Sequence, residues 1–198
     1  MRAVAITMKQ IKMKKILLAI LTILFVQQTF GQSKMIVGEK HTIFVEIPRN
    51  WTQAENEQLP FFIKPDYSNI SNKTDVRYVS PNSYMYVYGI DYKGKPDMIA
   101  WINAENDYLL SEHPDLVIDT LNLTLDNIFP DDYSTGNYKI LTYEYISGRQ
   151  EVMLVVECES TIVTAVLSTE KSMMPHFSPA FIDLCKSIKI MGSTLNDD

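Results

Sequence analysis

The residues able to do chemistry are few and lie far apart along the chain. His41 falls at a strand start, His113 at a helix end and His176 at a helix start. Zinc needs closely spaced His or Cys donors, such as two histidines four apart on a helix, and no such pair occurs. All three histidines are therefore read as surface or capping residues. A serine hydrolase would need a nucleophile elbow, yet there is no Gly-x-Ser-x-Gly, and the 7 glycines are too scattered to cradle a phosphate. Asp126, Asn127, Asp131 and Asp132 offer oxygen ligands of the kind calcium takes, but not at the spacing of a known loop, and read as a solvated acidic turn. No catalytic, cofactor-binding or metal-ligating residue is assigned, and no cofactor is expected.

Two other groups of residues remain. Cys158 ends the alternating run Val152, Leu154, Val156, and Cys185 shares a helical face with Phe181, Leu184 and Ile188. An oxidising compartment would favour a bridge between them, while their apolar settings suit two small core residues equally well. Tyr84, Tyr86, Tyr88 and Tyr92, with Tyr138, Tyr143 and Tyr145, place amphipathic rings on strands that could be sheet neighbours. They are read either as sheet packing or as a protein-recognition face. Sequons at Asn69, Asn72 and Asn122 matter only in a eukaryotic secretory pathway.

The N-terminus fixes the compartment. Arg2, Lys9, Lys12, Lys14 and Lys15 precede the apolar run Ile16–Val26, 11 residues long. That length suits a signal-peptide core and falls short of the ~20 residues of a spanning helix. Thr29 and Gly31 supply the small residues before a cut, so residues 1–31 are expected to be removed, with no stable membrane anchor afterwards. No cysteine follows the apolar core to take a lipid. Protein recovered outside the cytoplasm should begin at Gln32 or within a residue or two of it; N-terminal sequencing that returned Met1, Met8 or Met13 would exclude this reading.

Cleavage leaves 167 residues carrying 24 acidic and 13 basic side chains, a net charge of −11. Such a surface repels nucleic acid and anionic lipid, and makes cations or basic proteins better partners. The length suits one core, so 32–192 is expected to form a single domain and 193–198 a frayed tail.

Alternating residues predict strands over Val37–Pro48, stopped by Pro48-Arg49-Asn50-Trp51, then over Phe61–Lys64, Val76–Val79 and Ser83–Asp91. Pro96 and Asp97 open a helix carrying Met98, Trp101, Ile102 and Leu109 as far as Pro114. Strands Leu116–Leu125 and Asn137–Ile146 follow, then a hairpin at Ser147–Gln150 into Glu151–Cys158, and a tight turn into Thr161–Ser168. A closing helix, Met173–Ser187, carries Phe177, Phe181, Leu184 and Cys185. The class is α+β, an antiparallel sheet with helices packed on it.

The stretch Phe44-Val45-Glu46-Ile47-Pro48-Arg49-Asn50-Trp51 resembles the strand, Ile-Pro, polar, Trp entrance of PsbP-like domains, a family that includes DcrB-like bacterial envelope proteins. The C-terminal order is similar too: a hairpin at Gly148, strands ending in Val163–Ser168, and a helix closing with Phe181–Ile188. The resemblance implies an α/β/α sandwich around a central antiparallel sheet, and a binding or assembly accessory without shared catalytic residues. Taken together, the expectation is a periplasmic or secreted, non-enzymatic bacterial envelope protein whose partner is another envelope or secreted protein. The alternative is an envelope hydrolase with an unrecognised site.

Overall fold

Strands in this chain form where β-branched and aromatic residues alternate, and the polar and Pro/Gly-rich stretches between them turn the chain. In the computed structural model, residues 32–120 and 138–192 are described. The elements run β1 (Ser33–Val37), β2 (His41–Glu46), β3 (Trp51–Gln53), β4 (Phe61–Pro65), α1 (Val76–Val79), β5 (Tyr84–Asp91), α2 (Met98–Glu112), β6 (Val117–Thr120), β7 (Tyr138–Glu144), β8 (Arg149–Glu157), β9 (Thr161–Glu170), a 3-10 turn (Lys171–Met173), α3 (Met174–Ser187) and β10 (Lys189–Gly192).

The main sheet has seven strands in the order β3-β4-β5-β9-β8-β7-β6, all neighbours antiparallel, and a smaller sheet has the order β1-β2-β10. Gly148, at φ 80°, closes the β7–β8 hairpin in a conformation that favours glycine, with its N–H donating to the Tyr145 carbonyl at 2.9 Å. The two faces of the main sheet bury different sets. On one, Met85, Val87, Leu154, Val156, Val163 and Leu167 pack with Ile43 and Val45 of the small sheet and with Phe177, Phe181, Leu184 and Cys185 of α3. On the other, Leu141, Tyr143, Met153, Val155, Ile162 and Val166 pack with Met98 and Ile102 of α2. This is the expected sandwich, a central antiparallel sheet flanked by helices, with the small sheet sharing one flank with α3.

Three readings of local structure change, and one strand is added. Val76–Val79 is one helical turn, not a strand: the Asp75 carboxylate accepts the Arg77 N–H at 2.9 Å and also holds the Arg77 guanidinium, so capping outweighs β-propensity. Val37–Pro48 is two strands, because Gly38, Glu39 and Lys40 turn the chain between β1 and β2. Trp51 does not end a strand but starts one, since Asn50 at φ 65° reverses the chain and β3 pairs with β4. After α3 the chain extends into β10, which pairs with β2 through Ile190 opposite Ile43.

In α2, Asp97 is the cap, accepting the Ala100 N–H at 3.0 Å, and Pro96 lies just outside the helix. The α3 stripe is buried as its spacing predicts: Phe177, Phe181, Leu184, Cys185 and Ile188 face the core, and Asp183 and Lys186 are exposed. Phe177 meets Trp51 edge to face at 5.5 Å, tying α3 to the turn after β2. The signal segment, the acidic stretch at Asp126–Asp132, the second half of the strand read over Leu116–Leu125 and the C-terminal tail lie outside the described residues.

Candidate recognition groove

The alternation in β5 sends Met85 and Val87 into one core and Tyr84, Tyr86 and Tyr88 to the opposite face. α2 packs over residues of β7, β8 and β9, Tyr86 packs against that cluster, and all three tyrosines are half-buried. Their rings form a ladder, Tyr84–Tyr86 centroids at 6.2 Å and Tyr86–Tyr88 at 6.0 Å, with planes 29° and 22° apart. Phe62 of β4 leans on Tyr84 at 5.3 Å. The β3–β4 connection brings Asn56, Gln58 and Leu59 up along one side, giving an open groove of about 490 Å³ floored by four aromatic rings.

The two ends of the ladder differ electrically. At the Tyr84 end the register sets Tyr84, Ser168, Glu151 and Tyr143 in one row across β5, β9, β8 and β7. The Arg149 guanidinium lies 4.7 Å from the Tyr84 ring centre and donates through Nε to Ser168 Oγ at 2.7 Å. Ser168 in turn donates to Glu151 Oε1 at 2.5 Å, and the Tyr145 hydroxyl donates to Oε2 at 3.1 Å. Lys64 similarly sits 5.4 Å from the centre of the Phe62 ring. This end therefore carries its own cations.

The middle of the ladder borders α2, where Tyr86 packs against the cluster that holds Met98 and Ile102. Trp101, Glu105 and Leu109, at steps of four, lie on the half-buried side of that helix, and the neighbouring Asn106 Oδ1 accepts the Tyr143 hydroxyl at 2.9 Å, which holds the helix in register. Burial lifts the Glu105 carboxyl above its ordinary value, and the charge of Glu151 adds to this. Burial pushes the Tyr88 phenol up to about 12, against a hydrogen bond from Thr164 that lowers it; burial also raises Tyr86, with the Glu151 charge next, and Tyr143, with the Glu105 charge next.

The histidines do not converge on the groove. His113 caps α2 and meets Tyr145 edge to face at 5.2 Å, and His176 is exposed at the start of α3, as read from the sequence. His41 is the correction. It is 3% exposed, and its Nδ1 lies 2.6 Å from Asp91 Oδ1. Thr161 Oγ1 donates to the same oxygen at 2.8 Å, and the Lys40 N–H donates to Oδ2 at 2.9 Å. Gly38 and Gly89 make room for the ring, since a Cβ at either would overlap it. Burial acts to raise the Asp91 carboxyl, but the bonds from His41, Lys40 and Thr161 outweigh it and hold the group below its ordinary value. The group joins β2 of the small sheet to β5 of the main one. Thr161 bonds to the acid rather than to the imidazole, so these three residues lack the order of a nucleophile, base and orienter.

Cys158 and Cys185 are free thiols, the first partly buried and the second buried in the α3 core. Burial pushes the Cys158 thiol up to about 11 and raises Cys185 as well. Among the described residues, no three His, Cys, Asp or Glu side chains gather as a metal site, and no helix is long and apolar enough to cross a membrane.

No family model and no curated protein matches the sequence. Solved structures do match. Cyanobacterial PsbP (CyanoP) from Synechocystis sp. PCC 6803 aligns over 81% of this chain and 92% of its own at 9% identity, with a TM-score of 0.50. The fold is PsbP-like. LpqN of Mycobacterium tuberculosis, a protein involved in cell envelope biogenesis, aligns over 84% of this chain and 95% of its own at 12% identity, again with a TM-score of 0.50. The PsbP-like sandwich accounts for both flanks of the sheet, and the tyrosine groove lies on the flank that α2 leaves partly open.

Proposed function

We propose that this protein is an exported, non-enzymatic accessory of the bacterial cell envelope that recognises a partner protein through the tyrosine groove. The observation that carries the reading is the ladder itself: four rings on adjacent strands, three of them half-buried tyrosines, lining an open groove. Tyrosine is also the side chain that protein interfaces favour, because it combines large apolar area with a polar tip. The basic flank and short apolar core at the N-terminus support export. The likeness to LpqN, described as involved in cell envelope biogenesis, supports the setting.

The test uses the rim, where substitution leaves the core untouched. Gln58 is exposed and Leu59 half-exposed. The protein and its Gln58→Arg/Leu59→Arg variant, matched for melting temperature, serve as bait in envelope extracts. The native protein should enrich the same partner reproducibly, and the variant should retain less than about a tenth of it, the loss expected when one interface anchor is blocked. A blank for the native protein across growth conditions, or equal capture by both baits, would reject the reading.

A further inference from the structure

The lining of the groove carries no carboxylate, ammonium or guanidinium: its side chains are the three tyrosines, Phe62, Leu59 and the amides Asn56 and Gln58. Such a lining has no counter-charge for an ionised group that leaves water, so it complements an uncharged occupant.

Its polar atoms are weighted towards donors. Asn56 Oδ1 already accepts the Gln58 N–H at 2.9 Å and the Leu59 N–H at 3.1 Å, so the NH2 group is what Asn56 has left for a ligand. Burial keeps the Tyr86 and Tyr88 phenols protonated, and their hydroxyls can donate as well.

The backbone beneath the rings is already used. Met85, Tyr86 and Val87 pair with β4 on one side and β9 on the other, so a partner cannot satisfy its own N–H groups here by adding a strand. An ordinary extended chain laid on the rings would bury unpaired N–H donors. Proline has no N–H, and in a polyproline II helix the carbonyls make no bonds within the chain and are open to outside donors. Aromatic-lined grooves suit such a helix, because it is extended before it binds and loses little entropy. The lengths agree too: ring centres 6.2 and 6.0 Å apart along β5 span about four residues of this helix at ~3.1 Å each.

We infer that the groove takes a proline-rich segment of the partner in the polyproline II conformation, with its rings against Tyr84, Tyr86 and Tyr88 and its carbonyls on the Asn56 NH2 and the tyrosine hydroxyls. This rests on the groove being the recognition surface, and specifies what occupies it.

The experiment is a titration of the purified protein with capped heptaproline, capped heptaalanine and the neutral glucan cellohexaose, read from the Asn56 side-chain amide and the Tyr86 and Tyr88 backbone amides. Heptaproline should move these signals saturably. Heptaalanine should bind roughly tenfold more weakly, since it must be ordered and brings its own N–H groups, and the glucan should leave the signals in place. Asn56→Asp keeps an oxygen for the Gln58 and Leu59 N–H groups but replaces the NH2 donor by a second oxygen. It should keep its melting temperature and bind heptaproline about five- to tenfold more weakly, the loss of one hydrogen bond. Equal affinity for the two peptides, no loss in Asn56→Asp, or saturable binding of the glucan alone would each overturn the inference. The partner test above keeps the two readings apart: capture that depends on Gln58 and Leu59, with no binding of heptaproline, would leave the groove's role standing and remove the proline-rich occupant.

Discussion

Replacing Phe181 by alanine should lower the stability of the domain by about 3–5 kcal/mol, the range for deleting a buried aromatic. Phe181 is 6% exposed and lies in the middle of the α3 stripe, with Phe177 one turn before it and Leu184 and Cys185 one turn after. A side chain at the end of a stripe could be replaced by a shift of the helix. In the middle, such a shift would uncover its neighbours. The helix also carries Pro179, which removes one backbone hydrogen bond, so it depends on docking more than an uninterrupted helix would. Small domains have only about 5–15 kcal/mol in hand, and the variant should be marginal at 37 °C. His176→Ala, on the exposed side of the same helix, should change stability by less than about 0.5 kcal/mol. Urea denaturation of both variants decides the matter: equal, small losses would mean that α3 does not hold the sheet as its burial indicates.

What could be read in the sequence was whatever depends on spacing within one element. The stripe of α3, the period change into α2, the β8–β9 hairpin and the two-faced pattern of β5 each repeat at a fixed interval, and burial followed that interval. The tyrosine alternation was visible for the same reason. The wall of the groove was not, because Asn56, Gln58 and Leu59 reach the ladder only through β3, whose three residues are too few to show a period. Local capping explains the error at Val76–Val79: the pattern was β-like, and Asp75 with Arg77 settled the turn. The tertiary pairing of β10 with β2 joins the two ends of the domain, and no local signal in Lys189–Gly192 announces it.

His41 is the furthest of these from any local rule, and it gives the second large expected effect. Its partner Asp91 lies 50 residues on, and the imidazole rests directly against the backbone of Gly89, which pairs with Val163 in the interior of the main sheet. Gly89→Ala should therefore destabilise the domain by about 2–4 kcal/mol, even though alanine is otherwise the better strand residue: the methyl forces the ring off the strand, combining overpacking with loss of a hydrogen bond to a charged group. The strand is held at this point by β9, where Tyr88, Gly89 and Ile90 pair with Thr164, Val163 and Ile162. The sign with pH follows from Asp91. Its folded carboxyl sits below the ordinary value of 3.8, so its contribution is complete above that pH and is lost as pH falls through the folded value. The stability gap between the native protein and Gly89→Ala should accordingly narrow below about pH 4. A double-mutant cycle isolates the cause. With His41→Ala in place the space beside Gly89 is open, and adding Gly89→Ala should then cost less than about 1 kcal/mol, so that the two substitutions together destabilise less than the sum of each alone. Additive losses would show that Gly89 is needed for the strand itself, and that the His41–Asp91 group does not join the two sheets in the way its geometry indicates.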